Sequence, residues 1–149
     1  MPTFAGYDHV DCRVASLAAV EGFYDLLMPE LGLPRKRFSY VDEEGEWHEA
    51  SAEHRYNAIE FFEEAQADRA TFFMGFIERR DHVPGLTRIA FRVDVGRLAE
   101  LEALLERIGA QRIERSADPD AYPAIFFEDA CGTKLEIVAR APRALELAG

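Results

Sequence analysis

Three short segments set ionisable side chains at alternate positions, the spacing at which a strand turns them all to one face. In HVDCRV these are His9, Asp11 and Arg13. In RIAFR they are Arg88 and Arg92, with Ala90 between, and in KLEIVAR they are Glu136 and Arg140, with Val138 between. The intervening Val10, Cys12, Val14, Ile89, Phe91, Val93, Leu135, Ile137 and Ala139 form the packed sides. Arginine carries a planar fork of donors matched to carboxylate or phosphate, so Arg13, Arg88 and Arg92 would clamp an anionic ligand. The same groups would equally make a strand-surface ion-pair network with Asp11 and Glu136, each pair contributing little if exposed. A run of aromatics (Tyr56, Phe61, Phe62, Phe72, Phe73, Phe76) supplies mostly core. The side of that run bearing Phe73 would offer a ligand an apolar wall.

Other chemistry is not supported. Cys12 falls on a packed face and reads as a small hydrophobe, and Cys131 has no assignable base. Gly-rich phosphate loops and a serine elbow are absent from the sequence. His48, His54 and His82 fall in expected loops, and the acidic clusters 42–44 and 63–64 read as solvated turns.

The elements that must carry these residues occur twice. Tyr7 to Val14 reads as a strand, followed by Ser16 as a helix cap and then Leu17, Val20, Tyr24, Leu27 and Leu31 at helical spacing. Gly32 suits the stop, and Pro29 should kink or shorten the last turn. Three extended stretches follow: Lys36 to Asp42, Asn57 to Glu63 and Thr71 to Arg79. The pattern then returns. Thr87 to Asp94 reads as a strand, with Asp94 as a cap, and Leu98, Leu101, Leu104, Leu105 and Ile108 form a helix closed by Gly109. Gln111 to Ser116, Pro123 to Glu128 and Thr133 to Arg140 complete the second half. Each half reads β-α-β-β-β, and His82-Val83-Pro84-Gly85 joins them.

Composition narrows the partners. The 149 residues carry 17 basic against 28 acidic side chains, a formal charge of −11, which disfavours nucleic acid and anionic membrane surfaces. The apolar share of 48% is ample for a core, yet nothing approaches a membrane span and no signal peptide is visible. Two cysteines form neither a disulfide framework nor a zinc pattern, so a cytoplasmic, reduced setting is expected.

The doubled βαβββ pattern, with YDHVDCRV and its helix ending in ELGL, TRIAFRVD, and the closing FFEDACGTKLEIV, resembles the vicinal oxygen chelate superfamily. That group includes glyoxalases, bleomycin-resistance and fosfomycin-resistance proteins and extradiol dioxygenases. The resemblance implies an α+β fold: one domain over 1–149 whose two modules, about 5–81 and about 86–141, pair into a curved mixed sheet enclosing a cup, helices outside. It also implies a small-molecule ligand in that cup, a homodimer, and four metal-ligand positions.

Carried over position by position, the ligand places fall on His9, Gly75, Arg88 and Glu136. His9 and Glu136 match as metal ligands and catalytic groups, whereas Gly75 has no side chain and Arg88 stands where histidine is common. Strand parity turns Glu78 away from Gly75, so it is not expected to substitute. A metal held at His9 and Glu136 would make the protein a metal-dependent lyase, isomerase or dioxygenase. It would chelate adjacent substrate oxygens and stabilise an enediolate or oxyanion, with a carboxylate as proton shuttle. With half the site lost, a divalent Zn, Fe, Mn or Ni ion is expected to be absent or weakly bound. The alternative is a metal-free binding or sequestering protein with Arg88, Arg92, Arg13, Asp11 and Phe73 on its ligand.

Overall fold

The computed structural model describes residues 7–67, 70–85 and 88–139. The first half runs β1 (His9–Val14), α1 (Leu17–Glu30), β2 (Arg35–Val41), β3 (Trp47–Glu49), β4 (Ala58–Phe62) and β5 (Phe73–Glu78). The second runs β6 (Arg88–Arg92), a 3₁₀ turn (Val95–Arg97), α2 (Leu98–Arg107), β7 (Gln111–Arg115), β8 (Ala124–Glu128) and β9 (Lys134–Val138). The fold is α+β, and both βαβββ modules expected from the sequence are present. The first contains one more strand, β3, than the pattern suggested. Its three residues are all exposed and pair only with β2, so they carry no burial periodicity to read.

The two sheets have equivalent orders, β1-β5-β4-β2-β3 and β6-β9-β8-β7, with the first pair in each parallel and the rest antiparallel. Apolar residues of most strands go to one shared core, while Val41, Ala58 and Ile77 make a small separate cluster on the other side of the first sheet. Cys12, Val14, Ile59, Phe61, Met74 and Phe76 of the first sheet join Ile125, Phe127, Leu135 and Ile137 of the second, with Leu101, Leu104 and Leu105 of α2. From α1 the buried residues Leu17, Val20, Phe23, Tyr24, Leu27 and Met28 enter the same core. Because both sheets turn their apolar sides to this core, their opposite sides, the cup faces, both turn away from it.

Local chemistry sets the helix ends. The Ser16 hydroxyl accepts from Ala19 N–H at 3.2 Å, and Leu17 N–H donates to Glu78 Oε2 at 2.9 Å. Glu78 therefore lies on the helix side, as its parity requires. At the other end α1 stops one residue after Pro29, and Leu33 N–H reaches back to Met28 C=O at 2.9 Å across Gly32 (φ +89°). Asp94 caps the 3₁₀ turn by position, with no side-chain hydrogen bond.

The two modules are joined by a buried polar contact as well. Tyr24 Oη donates to Asp129 Oδ2 at 2.7 Å, while Asp129 Oδ1 accepts from Cys131 N–H at 2.8 Å and Thr133 N–H at 2.9 Å. Asp129 is fully buried and shapes the β8–β9 hairpin that leads into Glu136.

Candidate ligand-binding site

Strand register lays out the cup face of the first sheet in rows. His9, Phe73, Phe62 and Arg35 form one, Asp11, Gly75, Glu60 and Arg37 the next, and Arg13, Ile77, Ala58 and Ser39 the third. In the first row the rings stack in series. His9 lies on Phe73 at 4.7 Å and Phe73 on Phe62 at 4.7 Å, with the Arg37 guanidinium 5.3 Å above Phe62. His9 Nδ1 sits 2.7 Å from Asp8, and its Nε2 is 3.7 Å from Asp11. The Asp8 hydrogen bond, reinforced by the charge of Asp11, holds the His9 pKa above its ordinary 6.5.

The second row contains what the sequence reading missed. Glu60 is 1% exposed although it stands on the face away from the core. Arg37 grips it through Nε at 2.9 Å and Nη2 at 3.0 Å, and Ser39 Oγ donates at 2.7 Å. A buried carboxylate needs such partners. The signal was available in principle, because Arg37, Ser39 and Glu60 alternate correctly along two adjacent strands, but the pairing of those strands had to be known first. Trp47, on the unforeseen β3, reaches over the same row. Its ring edge lies 3.6 Å from where a Cβ at position 75 would stand, and Asp11 Oδ1 already occupies that space.

The second sheet carries the arginines. Arg88, Lys134 and Glu128 form one row, Ala90, Glu136, Phe126 and Glu114 the next, and Arg92, Val138 and Ala124 the third. Glu136 is 6% exposed and accepts from the Tyr122 hydroxyl. Arg88 does not pair with Glu136; its guanidinium lies 4.7 Å over the Phe126 ring. Lys134 holds Glu128 at 2.8 Å. Arg13 and Arg92 make no hydrogen bond or ion pair with a described residue. Arg140, which the alternation put on this face, lies outside the described residues.

The structure thus brings His9, Asp11 and Phe73 together on one cup face, and Arg88, Arg92 and Glu136 on the other. His9 and Glu136 stand on different sheets and share no partner. No three histidine, cysteine or carboxylate groups among the described residues are arranged to hold a metal ion. Of the four aligned positions, one is filled by Asp11 leaning over Gly75 and another carries the Arg88 cation. The donor set within one chain does not fit a resident divalent metal.

No protein-family model and no curated protein matches the chain. Solved structures do. A fosfomycin resistance protein, FosX, from Listeria monocytogenes superposes with a TM-score of 0.61 at 13% identity, over 93% of this chain and 96% of that one. The same protein complexed with Mn(II) and sulfate gives 0.62 at 13% identity, over 93% of both chains. A candidate glyoxalase from Bacillus halodurans gives 0.61 at 22% identity, over 91% and 96%. An integron cassette protein from the Halifax Harbour sewage outfall metagenome gives 0.54 at 18%, over 92% and 100%. At such identities the likeness establishes the fold, that of the vicinal oxygen chelate proteins.

Proposed function

We propose that the protein binds a small anionic or aromatic molecule on its cup faces, in the manner of a glyoxalase- or fosfomycin-resistance-type protein that has no resident metal. The observation that carries this reading is the state of the second cup face. Arg88 stands at an aligned ligand position, stacked on Phe126 instead of paired with Glu136, and Arg92 on the same face has no partner among the described residues. In a chain with 28 acidic side chains, guanidinium groups that make no ion pair with a described carboxylate are suited to a ligand that brings its own. Phe126 on this face, and Phe62 and Phe73 on the other, supply flat apolar contacts.

The cup closes between two copies of the chain. Both cup faces turn away from the common core, so each chain presents two half-sites. The first bears His9, Asp11 and Phe73, the second Arg88, Arg92 and Phe126. Sedimentation velocity should show a dimer of the 16.9 kDa chain.

A calorimetric panel of small phosphonates and aromatic dicarboxylates, such as propylphosphonate and phthalate, tests the ligand reading. Arg88→Ala and Arg92→Ala should each weaken whichever compound binds at least tenfold. Unchanged affinity in Arg88→Ala removes that residue from the site.

A second reading is supported by His9 and Asp11, whose Nε2 and carboxylate lie 3.7 Å apart on one face. With Glu136 of a second copy they would supply three donors of the kind that suits Zn, Fe, Mn or Ni, and so a metal-dependent enzyme. FosX, one of the structural relatives, is complexed with Mn(II).

A further inference from the structure

We propose that the cleft between the free edges of β1 and β6 is a separate binding site for a small carboxylate with a compact apolar body. The cleft has a volume of about 250 Å³, and its lining includes Val10, Asp11, Arg13, His82, Ile89 and Lys134. Among the described residues both strands end their sheets, so one side of each has no described strand neighbour to take its backbone N–H and C=O groups.

Charge decides which ligand fits. Two of the charged lining residues are already committed: Lys134 holds Glu128 at 2.8 Å, and Asp11 leans over Gly75 beside His9. Two donors remain. Neither the Arg13 guanidinium nor the His82 ring makes a hydrogen bond or ion pair with a described residue; His82 is held only through its backbone N–H, 2.8 Å from Arg79 C=O. Unpartnered donors of this kind lining one cleft would form charge-assisted hydrogen bonds to a carboxylate.

The rest of the lining is apolar. Val10, Pro84 and Ile89 contribute hydrocarbon, and burial pushes the Cys12 thiol up to about 12, so it stays protonated and serves as wall instead of nucleophile. A volume somewhat below that of a drug-sized pocket suits a body the size of a single ring. Val10, Cys12 and Ile89 lie on the strand sides opposite the cup, whereas Arg13 stands in a cup-face row and lines the cleft at the edge of β1, so His82→Ala, which touches no cup-face row, separates this site from the cup-face reading.

The test is an amide NMR titration with sodium benzoate, against sodium chloride at equal ionic strength. Saturable shifts are expected at Val10, Ile89 and Thr133. Arg13→Ala should weaken binding at least tenfold and His82→Ala at least threefold. Benzamide, the same ring without the charge, should bind at least tenfold more weakly than benzoate. Arg13→Gln serves in place of Arg13→Ala if that variant loses its dispersed spectrum. Shifts that do not saturate, equal binding of benzamide, or affinity unchanged in both Arg13 variants would overturn the proposal. So would shifts centred on Arg92, Phe126 and Val138, which would place the ligand on the cup face instead.

Discussion

The carboxylate of Asp11 stands over Gly75, one oxygen under 3.0 Å from the point where a Cβ would be attached. The missing side chain at position 75 and the tilt of Asp11 are therefore a single feature. Glycine leaves a gap between the strands carrying Asp11 and Glu60, and the shorter neighbouring side chain fills it. A side chain at position 75 would have to displace the Asp11 carboxylate.

Gly75→Ala is accordingly expected to cost little, about 0.5–1.5 kcal/mol, the cost of swinging the Asp11 carboxylate aside into a less favourable rotamer. Adding Asp11→Ala should remove most of that loss, because the methyl group would then have room. Urea unfolding of the four members of this double-mutant cycle reads the coupling directly. Additive losses would show that Asp11 does not occupy the gap.

The His9 ring should titrate above 6.5, chiefly because Asp8 accepts from it and secondarily because of Asp11. Following the ring protons by NMR, Asp8→Asn should bring the pKa down toward its ordinary value, and Asp11→Asn should lower it by less. The raised value means that folding favours the protonated ring. Its small contribution to stability is thus complete below pH 6.5 and fades as pH rises through the folded pKa.

How far this arrangement was legible in the sequence differs between residues. Alternation put His9, Asp11 and Arg13 on one face and Val10, Cys12 and Val14 on the other, and the burial along β1 follows that order. It also turned Glu78 away from Gly75, and Glu78 proves to cap α1. Such readings succeed because each depends on one strand and its period of two. Glu60 and Trp47 depend on more. A buried glutamate on a cup face is intelligible only once β2 lies beside β4 and supplies Arg37 and Ser39. Trp47 is carried by a three-residue strand with no burial periodicity, which exists through its pairing to β2. Pairing across strands is a tertiary fact, and the local pattern does not encode it.

The Tyr24–Asp129 contact predicts how tightly the two modules depend on each other. Tyr24→Phe removes one hydrogen bond to a fully buried carboxylate and should cost about 1–3 kcal/mol. Asp129→Ala removes that bond and the two that order the turn before Glu136, so it should cost more and unfold the hairpin first. Hydrogen exchange at Cys131 and Thr133 N–H distinguishes the two outcomes. Those amides should stay protected in Tyr24→Phe and lose protection in Asp129→Ala.

The remaining prediction concerns metal. Protein purified without chelators or a metal-binding tag should hold no near-stoichiometric ion, and incubation with Zn, Mn, Fe or Ni should leave its unfolding temperature unchanged. The physical reasons are local. Arg88 places a permanent cation where a ligand would stand, Gly75 offers no donor, and His9 and Glu136 lie on separate sheets. An ion that bound the folded chain at a hundred times its dissociation constant would add about 2.7 kcal/mol, an easily measured rise. Stoichiometric metal that disappears in His9→Ala would reverse the conclusion. It would mean that two chains complete one site, with His9 from one copy and Glu136 from the other. A metal-dependent reaction would then displace the arginine-centred reading.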